Sequence, residues 1–64
     1  MITYTDTSKI QSLTKYDEIK YDIDWEEGEL YAYAPDGTIL AKSDNQSESE
    51  AQDEIKNEIR AYRG

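Results

Sequence analysis

The 64-residue sequence predicts an α+β fold, a three- or four-stranded antiparallel β-meander with one C-terminal α-helix packed on one face. Three observations predict it. Ile19, Tyr21, Ile23 and Trp25 alternate with Glu18, Lys20, Asp22 and Asp24, the period of a strand with one buried side. Pro35-Asp36-Gly37 separates two further apolar runs and has the residue types of a tight hairpin turn. Ala51, Ile55, Ile59 and Tyr62 recur at steps of four, four and three, which places them on one helical stripe. Together these give a single domain over 1–64, with an N-terminal segment (1–15), a meander (16–43) and a helix (47–63).

In chain order, Ile2 and Tyr4 fit a short edge strand. Ile10 and Leu13 stand three apart, the spacing of one or two helical turns across Ser8 to Lys15. The alternating strand through Trp25 ends at Glu26-Glu27-Gly28, a turn signal. Runs at Glu29–Ala34 and Thr38–Lys42 follow, joined by Pro35-Asp36-Gly37 as a type I turn completed by a left-handed glycine. Asp44-Asn45-Gln46 leads into the helix. Its start is marked twice, by Ser47 with Glu50 and by Ser49 with Gln52, each a capping-box spacing. Glu48, Glu50, Asp53 and Glu54 crowd the first turns and Arg60 and Arg63 the last, the order that suits the helix dipole.

Both middle strands offer apolar groups in two directions. Leu30, Ala32 and Ala34 point one way, Tyr31 and Tyr33 the other, and Leu40 opposes Ile39 and Ala41. A first loop of two or four residues places Ile23 and Tyr21 with Leu30 and Ala32. A three-residue loop inverts the rows, because one residue of slip turns every side chain over. In either register one helix covers one face. The other needs a cover: residues 1–15, a second copy of the chain, or a partner.

Composition bounds the chemistry. With no His and no Cys there is no imidazole base, thiol nucleophile, zinc cage or disulfide. Seven Ile and three Leu, without Val or Phe, are few for a folded domain. Six Tyr and one Trp restore the balance by the ring area they can bury. No apolar run approaches the roughly 20 residues of a membrane span, and the first residues lack the order of a signal peptide, so the expected location is the cytoplasm. Fifteen Asp and Glu against seven Lys and Arg give a net charge of −8. Such a surface repels nucleic acid and anionic membranes and attracts basic proteins.

Asp22, Asp24, Glu26, Glu27 and Glu29 place five carboxylates within eight residues. They miss the calcium-loop pattern, since counting from Asp22 puts Glu27 at the glycine position and Tyr33 at the bidentate-carboxylate position. A glycosidase pair needs a cleft that a chain this size has little room to build, and no Gly-rich phosphate loop is present. No enzyme activity, cofactor or metal is expected. A solvated, solubilising hairpin is the plain reading of the acids. The functional one is a rigid carboxylate array that imitates nucleic-acid phosphates and competes for a Lys/Arg groove. Asp22, Asp24, Glu26, Glu27 and Glu29, with Glu48, Glu50, Asp53 and Glu54 of the helix, would supply the charge. Tyr31 and Tyr33 would supply apolar anchors.

The stretch Glu27-Gly28-Glu29-Leu30-Tyr31-Ala32-Tyr33-Ala34-Pro35-Asp36, with Glu50-Ala51, Ile55-Lys56, Ile59 and Ala61-Tyr62, resembles the HicB family of antitoxins across about Tyr16 to Tyr62. Gly37-Thr38-Ile39-Leu40 stands where that family has Leu-Pro-Gly-Cys, and no DNA-binding segment follows the helix. The resemblance implies a truncated ribonuclease H-like β-β-β-α domain without catalysis, one that covers a small basic ribonuclease toxin. The leading expectation is a non-enzymatic acidic inhibitor of the phage type, directed at a CRISPR effector, a restriction enzyme or a repair glycosylase. The second is a HicB-like antitoxin, and the third an acidic scaffold domain that forms homodimers.

Overall fold

Two hairpin turns set the architecture, and the computed structural model describes it over residues 1–15 and 20–64. Glu27 and Gly28 both have positive φ, 51° and 80°, so the first hairpin closes on two residues in the mirror-image turn that follows the right-handed twist of its strands. That loop length decides the register. In β2 (Asp22–Glu26) and β3 (Glu29–Tyr33), Trp25 lies opposite Leu30 and Ile23 opposite Ala32. The second turn has the expected form. Gly37 N–H donates to Ala34 C=O at 2.9 Å, Ala34 N–H donates to Thr38 C=O at 2.7 Å, and Gly37 has φ 91°. Asp36 braces it, accepting from Thr38 N–H at 3.0 Å and from Lys9 Nζ at 2.6 Å.

β4 (Ile39–Ser43) pairs with β3, and β1 (Ile2–Thr5) returns to pair with the far side of β4. The sheet order is β1-β4-β3-β2, antiparallel throughout, so Ile2 and Tyr4 belong to a fourth strand. The start of the alternating strand at Glu18 and Ile19 lies outside the described residues, and its regular part begins at Asp22. A register shift between Ala32 and Tyr33 lets the neighbours Leu40 and Ala41 both turn toward the core, which simple alternation does not allow.

Two helices cover one face. α2 (Glu48–Ala61) is capped by Ser47, whose side chain accepts from Glu50 N–H. Asn45 Oδ1 accepts from Ser47 N–H at 2.9 Å. Its buried stripe is Ala51, Ile55 and Ile59. Tyr62, expected on that stripe, instead forms the C-cap and is 38% exposed, because the helix ends at Ala61 before the next turn could carry it inward. α1 (Thr7–Leu13) is capped by Asp6, which accepts from Lys9 N–H, and delivers Ile10 to the same core. Leu30, Ala32, Ala34, Leu40, Ala41, Ala51, Ile55 and Ile59 complete it. Residues 1–15 therefore join the sheet edge and the helical layer and do not cover the second face. No described helix is long and apolar enough to cross a membrane.

Glu27 pays for the first turn. A side chain in the left-handed region crowds its own carbonyl at a cost of about 1–2 kcal/mol, and Glu26 directly faces Glu29 across the strands. Glu27→Asn keeps the turn and removes most of that strain. We expect it to raise stability by about 1 kcal/mol in a urea melt. An unchanged midpoint would mean that the turn carries no strain.

Candidate functional site

Strand alternation and the register assemble the second face. Asp24, Tyr31, Lys42 and Tyr4 lie opposite one another in a row across all four strands. A second row runs Asp22, Tyr33, Ile39, and Glu26 pairs with Glu29 at the hairpin end. The rings of Tyr31 and Tyr33 stack, with centroids 6.1 Å apart and planes 23° from parallel. Lys42 Nζ sits 5.8 Å from the Tyr31 ring centre, within cation–π reach. Tyr31 Oη donates to Glu29 Oε2 at 3.3 Å. Desolvation, then the nearby Glu29 carboxylate, push the Tyr31 phenol above its ordinary pKa of 10.0, so it remains a hydrogen-bond donor.

Both helices pack on the opposite side, and no described residue covers this face. Its strand residues carry Asp22, Asp24, Glu26 and Glu29 against the one cation Lys42. Successive carboxylates on β2 stand about 6–7 Å apart by strand geometry. Among the described residues no group of three or more acidic side chains converges as metal ligands would. The row is a line of separate charges beside an aromatic centre.

The eleven expected site residues therefore divide. Asp22, Asp24, Glu26, Glu29, Tyr31 and Tyr33 share the outer face, and Glu27 projects from the hairpin tip next to them. Glu48, Glu50, Asp53 and Glu54 belong to α2, in the other layer of the domain. One flat surface cannot engage both groups. Tyr4, Ile39 and Lys42 were not foreseen as part of the face. They join it through the pairing of β1 with β4 and the bulge in β4, which no local pattern announces.

Glu54 already has partners. The Met1 ammonium contacts Glu54 at 2.8 Å and Asp44 at 3.1 Å. The Ser43 hydroxyl donates to Glu54 at 2.5 Å and the Asn45 amide at 3.2 Å. The ammonium foremost, then Ser43 and Asn45, hold the Glu54 carboxyl down from 4.5 to about 2. Its hydrogen bond to Glu54 raises the ammonium above 8.0. Glu54 thus stabilises the fold fully above its unfolded value near 4.5, and loses that contribution as pH falls toward about 2. The ammonium contributes fully below 8.0, and its contribution fades as pH rises through the raised folded value. Glu54→Gln is expected to flatten both the acid and the alkaline arms of a Tm-versus-pH curve. If the acid arm survives unchanged, it belongs to Asp36, whose carboxyl Lys9 and Thr38 hold well below the usual range.

No family model matches the chain, and the comparisons with curated proteins and with solved structures found no match.

Proposed function

We propose that this chain is a non-enzymatic acidic inhibitor. It binds a basic nucleic-acid-acting protein and blocks the groove in which that protein holds nucleic acid. The observation that carries this reading is the outer face, which no described residue covers and whose strand residues set four carboxylates and one lysine around a tyrosine pair. The carboxylates of β2 meet Lys and Arg side chains that would otherwise neutralise phosphates, the term that dominates nucleic-acid affinity. Tyr31 and Tyr33 supply the rigid, partly apolar contact area typical of binding hot spots. A net charge of −8 speeds encounter with a basic partner and excludes nucleic acid from the same surface.

The chemistry suits a phage-type inhibitor of a CRISPR effector, restriction enzyme or repair glycosylase. A HicB-like antitoxin holding a ribonuclease is the second reading, and the identity of the captured partner separates the two. The test has two steps. Tagged protein is first used to capture partners from host lysate, with elution by salt. The captured protein is then assayed for nucleic-acid binding as the chain is added. Stoichiometric loss of nucleic-acid binding supports the reading. A captured partner that still binds nucleic acid at full strength removes it, as does recovery of nothing but a salt-resistant homodimer.

A further inference from the structure

The sheet has two edges, and they differ. On β1 the pairing with β4 shifts between Ile2 and Tyr4, and a bulge blunts an edge by breaking its regular repeat. β2 keeps unbroken register with β3 from Asp22 to Glu26 and stands last among the described strands of the sheet. The two-residue turn closes on the Glu26–Glu29 pair, and hydrogen-bonded pairs recur at every second residue of an antiparallel ladder. Asp22, Asp24 and Glu26 therefore spend their backbone groups on β3. Ile23 and Trp25 direct theirs to the open side. The side chains of the same two residues lie in the helical layer, beyond the strands on which α2 chiefly packs. Ile23 is 43% exposed, and Trp25 only partly joins the core.

A second copy of the chain is a poor occupant for this edge. Antiparallel pairing joins residues whose backbones face the shared edge, so Ile23 and Trp25 must meet Ile23 and Trp25 of the copy. The acidic rows are then brought together. Asp24 faces Asp24 and Asp22 faces Glu26, with like charges at the closest cross-strand distance. The same geometry favours a strand that presents Lys or Arg to the row of Asp22, Asp24 and Glu26 and apolar side chains to Ile23 and Trp25. We infer that β2 is a β-augmentation edge for a partner strand in which basic and apolar residues alternate. The inference rests on the basic-partner reading above and specifies how that partner is held: main-chain bonds through Ile23 and Trp25 supply affinity, and the acidic row supplies selectivity.

The probe is a short capped peptide alternating Lys and Val, titrated into the isotopically labelled full chain. Its controls are an alternating Glu and Val peptide and a peptide with Lys and Val in separate blocks. The alternating basic peptide should slow hydrogen exchange at the Ile23 and Trp25 amides and shift the emission of Trp25, the single tryptophan. Both controls should bind about tenfold more weakly or not at all. Ile23→Pro removes an outward donor without breaking a ladder bond, and should weaken binding about tenfold at unchanged affinity for β3. Because proline also shortens the side chain, Ile23→Lys is the second variant: it places an unpaired charge against the incoming strand's apolar row and should block it too. Thermal melts check that both variants fold. Equal binding of the block and alternating peptides overturns the edge, as does binding that leaves the Ile23 and Trp25 amides unprotected. Shifts confined to Tyr31, Tyr33 and Lys42 would overturn the edge while leaving the outer-face reading standing. Concentration-dependent protection of the two amides without peptide would assign the edge to a second copy and overturn the inference.

Discussion

Ile55→Ala is expected to unfold most of the protein at room temperature, lowering stability by about 2–5 kcal/mol. Ile55 is fully buried, midway along the α2 stripe between Ala51 and Ile59, and packs in the cluster formed by Leu30, Ala32, Leu40 and Ile10. Truncation removes the transfer free energy of three carbons and leaves a cavity. Four of the core residues are already alanines: Ala32 on β3, Ala34 just after it, Ala41 on β4 and Ala51 on α2. Those four side chains are too short to reach into the gap. A domain of this length holds roughly 3–10 kcal/mol in total, at about 0.05–0.15 kcal/mol per residue, so the loss is comparable to the whole. Lys56→Ala, one residue along and exposed, should stay within about 0.5 kcal/mol. Ile55→Val should fall between, at about 0.5–1.5 kcal/mol. Urea melts followed by circular dichroism measure all three. Wild-type stability in Ile55→Ala would mean that α2 is not held by this stripe.

The elements with a local cause could be read from the sequence. Pro35-Asp36-Gly37 can hardly make another turn, and Ser47 followed by a four-four-three stripe can hardly be other than a capped helix. The class of fold follows from those two features and one alternating strand. The details that sequence left open depend on single residues whose effect is collective. Whether Trp25 meets Leu30 turns on Glu27 accepting a left-handed backbone, which glutamate does against its own preference. The cover of the second face depends on where fifteen N-terminal residues go. Their destination is fixed by the pairing of β1 with β4 and by the packing of Ile10 into a core of residues distant in sequence. Within the candidate site, the β2 acids and the β3 tyrosines were legible because both follow a period of two. The four helical acids were legible as charges but not as neighbours. Charge has no direction in a sequence, and only the packing of Ile55 and Ile59 shows that α2 lies behind the sheet.

That separation gives the acids a decisive comparison. Reversing Asp22, Asp24, Glu26 and Glu27 to Lys is expected to weaken partner binding about a hundredfold, roughly 2.8 kcal/mol at 1.4 kcal/mol per decade. The fold should persist. Asp22 and Asp24 face tyrosines, and lysine at position 26 would face Glu29 across the strands, turning a repulsion into an attraction. Loss of binding alone would not distinguish a site from bulk charge, because four reversals cancel a net charge of −8. The comparison variant reverses Glu48, Glu50 and Asp53 in the helical layer, a change of six charges against eight, with Glu54 left in place because the Met1 ammonium depends on it. Reversal at the start of α2 costs helix stability through the dipole, about 0.3–1 kcal/mol for each charge, so thermal melts accompany the binding measurements. If the outer row is the site, the helical variant keeps an equilibrium affinity within about tenfold of the parent. Its association slows, and that slowing disappears as salt shortens the Debye length below about 10 Å. The sheet variant stays weak at every salt concentration at which the parent binds. Equal losses in the two variants would show that the acids act through total charge, and carboxylate mimicry by the outer row would then be wrong.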